Sequence, residues 1–157
     1  ATLHAVLSEK ITGINQLILL DPYIVPKNKL IFWVPLLRIF IKNTTSGATR
    51  DIEYMNKYVN RPASALDELR LLVLQVQEDL KSNQLDRLPK ISVFTANGDP
   101  SSDTAGADFI KDYISNASVF RYQSNQHVII DPQTKINWSD DDQALMLEVV
   151  DQIIQLL

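Results

Sequence analysis

The sequence contains no cysteine and has two histidines, His4 and His127. Without cysteine the chain can form no disulfide, no thiolate metal site and no cysteine nucleophile. A pair of histidines also argues against a multi-histidine metal site within the chain. We therefore expect neither a metal ion nor any other cofactor.

Long hydrophobic runs are also lacking. The longest apolar stretch, residues 30–41, is interrupted by Pro35 and Arg38 and is shorter than the roughly 20 residues that a membrane span needs. The first residues alternate between polar and apolar, which is not typical of a signal peptide. We expect no targeting or transmembrane segment in this chain, and this favours a cytoplasmic location.

No strong positive charge is present. The formal net charge is −4, the isoelectric point is about 5.1, and the basic residues are scattered along the chain. Such a balance offers little overall attraction to a phosphate backbone or to an anionic membrane. We therefore expect no nucleic-acid partner.

What is present is a pattern of alternating helices and strands. At 157 residues with 45% hydrophobic residues, the chain fits one domain with a core. The predicted elements, in chain order, are a helix at 1–10 ended by Gly13, a strand at 16–20, a helix at 63–81, a strand at 91–95, a helix at 104–115, a strand at 118–122 and a last helix capped by Ser139. This order predicts an α/β fold, in which helices cover both faces of a parallel sheet.

The candidate catalytic residues lie in two loops that follow strands. Asp99 comes directly after the second strand and His127 lies in the loop after the third, and parallel strands end at the same edge of a sheet. A carboxylate that orients a histidine is the arrangement of a catalytic triad. The alternative is structural: Asp99 is a turn residue in Asn-Gly-Asp-Pro and His127 is a surface histidine.

Three segments resemble the α/β-hydrolase superfamily, specifically the carboxylesterases and monoacylglycerol-lipase-like serine hydrolases. Residues 93–100 (VFTANGDP) are similar to the strand and turn that carry the acid, and residues 123–131 (QSNQHVIID) resemble the histidine loop. In that loop Gln126 stands where the family often has glycine. Residues 17–22 (LILLDP) resemble the strand before the cap. The resemblance implies the acid and base of a triad at Asp99 and His127.

The serine nucleophile that the resemblance implies is missing. That family places it before the acid, in Gly-x-Ser-x-Gly, and no such motif occurs in the sequence, which has only four glycines. Residues 1–7 resemble the helix that follows the nucleophile, so we expect the serine about three residues upstream of Ala1. Ser101, Ser102 and Ser124 are the alternatives within the chain, and each fits turn or cap chemistry better.

The resemblance also divides the chain and implies a substrate. Residues 1–22 would be the helix after the nucleophile and a core strand, residues 23–63 a mostly helical cap, and residues 64–157 the C-terminal core. An apolar ester or acyl substrate would contact the cap, where the candidate pocket residues are Phe32, Trp33, Leu36, Leu37 and Phe40. Such residues can equally be packing.

The sequence leaves several functions open. The parent protein is expected to be a carboxylic ester hydrolase, with this chain, which lacks the nucleophile, inactive by itself. Alternatives are a non-catalytic fragment or interaction domain, or a dehalogenase, peroxidase or acyltransferase of the same fold. Because three strands leave an apolar sheet edge exposed, we also expect self-association or pairing with a missing N-terminal half.

Overall fold

A computed structural model describes residues 2–45, 60–82, 88–99, 101–126 and 138–157. The elements are α1 (Thr2–Leu7), β1 (Gln16–Leu20), a 3-10 helix η1 (Lys29–Trp33), α2 (Val34–Leu37), β2 (Asn43–Thr45), β3 (Asn60–Pro62), α3 (Ala63–Ser82), β4 (Lys90–Ala96), α4 (Ala105–Tyr113), β5 (Ala117–Tyr122) and α5 (Asp140–Leu156).

The core is a parallel sheet of three strands in the order β1-β4-β5. Leu17 is paired with Ile91, and Ile91 with Ala117, so these three residues lie side by side in neighbouring strands. Every residue of β4 after Lys90 is buried, as expected for the central strand of a sheet that is covered on both faces. The predicted α/β architecture is confirmed, and all three strands lie where the apolar runs placed them.

Helices cover the sheet on both faces. Residues 91 and 93 of β4 pack with α1, α3 and α4 in one cluster, whereas residues 94 and 96 pack with α5 in a second cluster. This division follows from the alternation of side chains along a strand. In the second cluster the rings of Phe94 and Phe120 stack with centroids 4.7 Å apart.

The last helix begins as the sequence predicts. The Ser139 hydroxyl accepts a hydrogen bond from the amide of Asp142, and the Asp142 carboxylate accepts one from the amide of Ser139, each at 3.1 Å. This reciprocal capping box satisfies two of the amides that a helix start leaves unpaired.

The first helix ends earlier than predicted. Gly13 has a positive φ of 75°, but α1 stops at Leu7 and Glu9 is the residue that adopts the left-handed conformation, with φ 56°. The amide of Lys10 bonds to the carbonyl of Ala5 and the amide of Glu9 to that of Val6, which is the Schellman arrangement. The prediction that Gly13 terminates the helix was therefore wrong.

Replacing Glu9 with Gly should stabilise the protein. The left-handed backbone costs a residue with a Cβ about 1 kcal/mol, and Glu9 is exposed, so its side chain adds little packing. Part of this gain is offset because glycine loses more backbone entropy on folding. We expect the free energy of unfolding to rise by about 0.5 kcal/mol in urea titrations. Ser8→Gly, at the neighbouring position without positive φ, should instead lower it, and a loss of stability in Glu9→Gly would contradict this account.

Candidate functional site

Asp99 is buried at the edge of the sheet where β4 ends. Its side chain has 1% exposure, and its Oδ1 accepts a hydrogen bond from the amide of Ser101 at 2.7 Å. The carboxylate therefore lies within a turn at the carboxyl end of the central strand, the position at which open α/β sheets bind ligands. A turn bond of this kind is also what the structural alternative predicts for Asp99.

The loop after Asp99 is held by the segment that follows β1. Residues 25–27 run antiparallel to residues 101–103, and the amide of Lys27 donates to the carbonyl of Ser101 at 3.2 Å. The Lys27 Nζ donates to the carbonyl oxygen of Asp99 at 2.9 Å. The carbonyl of Asp99 and residues 101–103 are thus held by a segment distant in sequence.

Asp21, which follows β1, joins the ends of all three strands. It is 2% exposed and has a positive φ of 41°. Its Oδ1 accepts from the amide of Ala96 at 2.7 Å, and its Oδ2 accepts from the hydroxyl of Tyr122 at 2.6 Å. Its carbonyl accepts from the hydroxyl of Ser102 at 3.3 Å. The sequence sign of the contact between Asp21 and Tyr122 was a carboxylate at the end of one strand and a tyrosine at the end of another.

The loop after β5 packs directly on the turn that contains Asp99. The amide of Gly98 donates to the carbonyl of Ser124 at 3.0 Å. A Cβ at Gly98 would lie 2.6 Å from that carbonyl oxygen and 2.3 Å from Oδ1 of Asn125, distances that no side chain tolerates. Glycine is needed here for the close approach of two loops.

His127 lies outside the described residues. The structure describes the loop up to Gln126, whose amide donates to the Ser124 hydroxyl at 3.0 Å. The loop meets the Asp99 turn at Ser124 and Asn125, which lie against Gly98. The pairing of His127 with Asp99 stays a prediction.

The three serines that were considered as alternative nucleophiles have structural contacts. The Ser102 hydroxyl is buried and donates to Asp21, and the Ser124 hydroxyl accepts a bond from the following loop. Ser101 uses its amide to close the turn at Asp99. These contacts are those of turn residues, as the sequence indicates.

An apolar cavity of about 220 Å³ opens beside the carboxyl end of β1. Its walls come from the first turn of α1, the end of β1 and one face of α3, and comprise Thr2, Leu3, Leu19, Leu20, Pro22, Tyr23, Ile24, Leu69, Leu72, Val73 and Val76. For scale, an engineered apolar cavity of about 150 Å³ holds benzene. This cavity could therefore accept a short hydrocarbon group.

The five predicted pocket residues lie elsewhere. They are exposed residues of η1 and α2 and, in one case, of the turn that follows α2, with exposures from 37% to 81%, and none of them lines the cavity; they are Phe32, Trp33, Leu36, Leu37 and Phe40. Their role in substrate binding stays a prediction. The sequence does not single out the residues that line the cavity, because an apolar wall and an apolar core have the same pattern.

His4 has a structural contact remote from Asp99 in the fold. Its Nδ1 lies 2.7 Å from Oδ2 of Asp79 on α3, and its side chain is about one quarter exposed. Over the described part of the chain, no group of three or more His, Cys, Asp or Glu side chains is arranged to hold a metal ion. In the same residues no helix is long and apolar enough to cross a membrane.

Solved structures with the same architecture are α/β-hydrolases. A soluble variant of monoglyceride lipase from Saccharomyces cerevisiae matches with a TM-score of 0.61 and 14% identity, over 96% of this chain and 60% of that one. Paleococcus ferrophilus monoacylglycerol lipase matches with a TM-score of 0.60 and 9% identity, over 96% and 63%. Mouse alpha/beta hydrolase domain-containing protein 10 matches with a TM-score of 0.52 and 16% identity, over 99% and 58%.

These likenesses show the fold. The chain has a partial α/β-hydrolase fold and spans about three fifths of the length of the proteins it matches. No family model matches the sequence, and no curated protein is significantly similar to it.

Proposed function

We propose that this chain is the C-terminal portion of a serine hydrolase that cleaves carboxylic esters, with Asp99 and His127 as the acid and base of its triad. The observation that carries the proposal is the hydrogen bond from the amide of Gly98 to the carbonyl of Ser124, beside the buried Asp99. His127 directly follows the loop of Ser124 in the sequence, and its contact with the Asp99 carboxylate is part of the proposal. The α/β-hydrolase fold of the chain supports the assignment, since that fold orders its triad as Ser, acid, His.

The nucleophile is proposed to come from a segment N-terminal to Ala1. No Gly-x-Ser-x-Gly motif occurs in the 157 residues, and the described serines near Asp99 have turn contacts. In the proposed reaction the serine oxygen attacks the ester carbonyl while His127 accepts its proton. The imidazolium then returns this proton to the leaving alcohol, and water repeats the sequence on the acyl-enzyme. Asp99 orients the imidazole and stabilises its charged form.

The substrate is proposed to be an ester with an apolar acyl or alcohol group. The cavity at the end of β1 has an apolar lining and a volume suited to a short hydrocarbon group. It lies at the carboxyl edge of the sheet, the same edge as Asp99. Two of the proteins of similar fold are monoglyceride and monoacylglycerol lipases by name, which supports a lipid ester.

The 157-residue chain by itself should be inactive. Incubated with p-nitrophenyl butyrate, it should release p-nitrophenol no faster than buffer, because the acid and base have no nucleophile to activate. A fluorophosphonate probe, which reacts with activated serines, should label the chain extended upstream of Ala1 and leave the 157-residue chain unlabelled. Turnover or labelling of the shorter chain would contradict the assignment of the nucleophile.

A non-catalytic interaction domain is the second candidate. The observation that favours it is the missing serine motif, together with a sheet in which β1 pairs on one side only among the described residues. An unpaired strand edge can accept another chain. If the extended protein also fails to react with the fluorophosphonate, this second candidate replaces the first.

A further inference from the structure

Asp21 is a buried carboxylate to which the proposed reaction assigns no role. Burying a carboxylate costs free energy unless hydrogen bonds replace the lost water. At Asp21, which is 2% exposed, Oδ1 accepts from the amide of Ala96 at 2.7 Å and Oδ2 accepts from the hydroxyl of Tyr122 at 2.6 Å. These donors are the last residues of β4 and β5. Because β4 lies between β1 and β5, the bond to Tyr122 crosses the end of the central strand.

Tyr122 is held through its backbone as well as its side chain. Its carbonyl accepts a hydrogen bond from the amide of Asn97, in the turn before Asp99, at 2.9 Å, and its ring packs in the second core cluster. Residues 123–126 continue directly from it and lead to His127. The loop that precedes the proposed base therefore starts from a residue that is fixed at two points.

Asp21 also holds the loop after Asp99. Its carbonyl accepts from the buried Ser102 hydroxyl at 3.3 Å. One residue is thus bonded to the segment that follows the proposed acid and to the strand end that leads to the proposed base. Asp99 and His127 can act as a pair only if these two segments keep their relative positions, since a displacement of about 1 Å can lower a rate by about 100-fold.

We propose that Asp21 and Tyr122 are positioning residues, which keep the loop before His127 aligned with the turn of Asp99. The proposal rests on the proposed function, because it assigns both residues a role in that reaction. The role is indirect: the Tyr122 hydroxyl acts through its hydrogen bond to Asp21 and contacts neither the ester nor the nucleophile. Without the bond the loop can shift at its first residue, and the imidazole spends less time in the orientation that accepts the proton.

Kinetics of the Tyr122→Phe variant test the proposal in the protein extended upstream of Ala1. We expect kcat for p-nitrophenyl butyrate to fall by about 30-fold and KM to stay within about twofold, because orientation is lost and ester binding is not. The rate of fluorophosphonate labelling should fall by the same factor as kcat, since it depends on activation of the serine. Circular dichroism should show a native fold at the temperature of the assay.

Variants of Asp21 change the same bond from its other side. Asp21→Gly removes the carboxylate, and glycine fits the positive φ of 41°, so kcat should fall at least as far as in Tyr122→Phe. Asp21→Asn should keep kcat within about threefold, because the amide oxygen can accept from Ala96 and the amide nitrogen can donate to the Tyr122 hydroxyl. Asparagine also tolerates a positive φ. Combining Asp21→Asn with Tyr122→Phe should return kcat to the level of Tyr122→Phe alone.

Matched controls separate positioning from stability. Ile110→Val shortens a fully buried side chain of α4 and lowers the stability of the fold, but Ile110 belongs to the core cluster on the other face of the sheet. Tyr113→Phe removes the hydroxyl of a tyrosine that is 40% exposed on α4. Both variants should keep the kcat of the parent protein.

Three results would contradict the proposal, each in a different way. If Tyr122→Phe has the same kcat as Ile110→Val, the bond stabilises the fold and has no positioning role. If Asp21→Asn loses as much activity as Tyr122→Phe, the charge of Asp21 matters and its position does not. If the unsubstituted extended protein neither hydrolyses the ester nor reacts with the fluorophosphonate, the proposed function fails, and the positioning role fails with it.

Discussion

Asp99→Asn is expected to lower kcat for p-nitrophenyl butyrate by about 10⁴-fold in the protein extended upstream of Ala1. The amide oxygen of Asn can still accept the bond that Oδ1 receives from Ser101, so the turn should keep its shape. What is lost is the negative charge that orients His127 and stabilises its protonated form. The substitution thus separates the catalytic role from the structural one.

Asp103→Asn is the matched control for this substitution. Asp103 lies in the same loop, and its Oδ1 accepts a bond from the amide of Ala105 at 3.0 Å. Its removal should leave kcat within about threefold, since the proposed mechanism gives its charge no role. Equal losses in the two variants, or a loss at Asp99 of less than about tenfold, would indicate that Asp99 is only a turn residue.

Asp21→Ala is expected to lower the free energy of unfolding of the 157-residue chain by about 3 kcal/mol or more. The change removes the two hydrogen bonds that the Asp21 carboxylate accepts from the amide of Ala96 and the hydroxyl of Tyr122, and each hydrogen bond to a charged group contributes about 1.5–3 kcal/mol. The midpoint of thermal unfolding should fall by about 6–12 °C for a chain of this size.

The Tyr122→Phe variant and the double variant Asp21→Ala with Tyr122→Phe show which hydrogen bond causes the loss of stability at Asp21. Because the two side chains share one hydrogen bond, their effects should be less than additive by about 1 kcal/mol or more. Asp112→Ala, at an exposed position of α4, should change stability by less than about 0.5 kcal/mol. Additive losses at Asp21 and Tyr122 would show that the carboxylate does not join the strand ends.

The fold was predictable from the sequence because its strands are apolar on both faces. A run such as residues 16–20 has no polar alternation, and this indicates a buried parallel strand; the structure has β1 with the same bounds. The start of α5 at Ser139 was predictable for a local reason, since a serine followed by three aspartates caps a helix. Both features depend on neighbours in the chain.

Features that no local sequence pattern indicates were not predictable. Glu9 adopts a left-handed backbone that no sequence pattern assigns to glutamate, so the end of α1 was misplaced at Gly13. Asp21 has the sequence appearance of a turn residue, and only the fold brings Ala96 and Tyr122 to its carboxylate. The cavity walls are apolar residues indistinguishable from core in the sequence.

The candidate site was predictable in part. The sequence places Asp99 after a strand; the structure shows that it is buried at the end of that strand and that Ser124, in the loop that precedes His127, packs on the same turn. The need for glycine at position 98 comes from the approach of that loop, which Asn-Gly in a turn does not reveal. The position of His127 itself stays a prediction.

Ester hydrolysis by the His127→Ala variant of the protein extended upstream of Ala1 tests the central claim most directly. With p-nitrophenyl butyrate at neutral pH, kcat should fall by about 10⁴-fold or more, because no other group would accept the proton of the nucleophile. His4→Gln changes the other histidine, which pairs with Asp79, and should keep its activity. Hydrolysis that survives in His127→Ala at the level of His4→Gln would contradict the assignment of His127 and Asp99 as a catalytic pair.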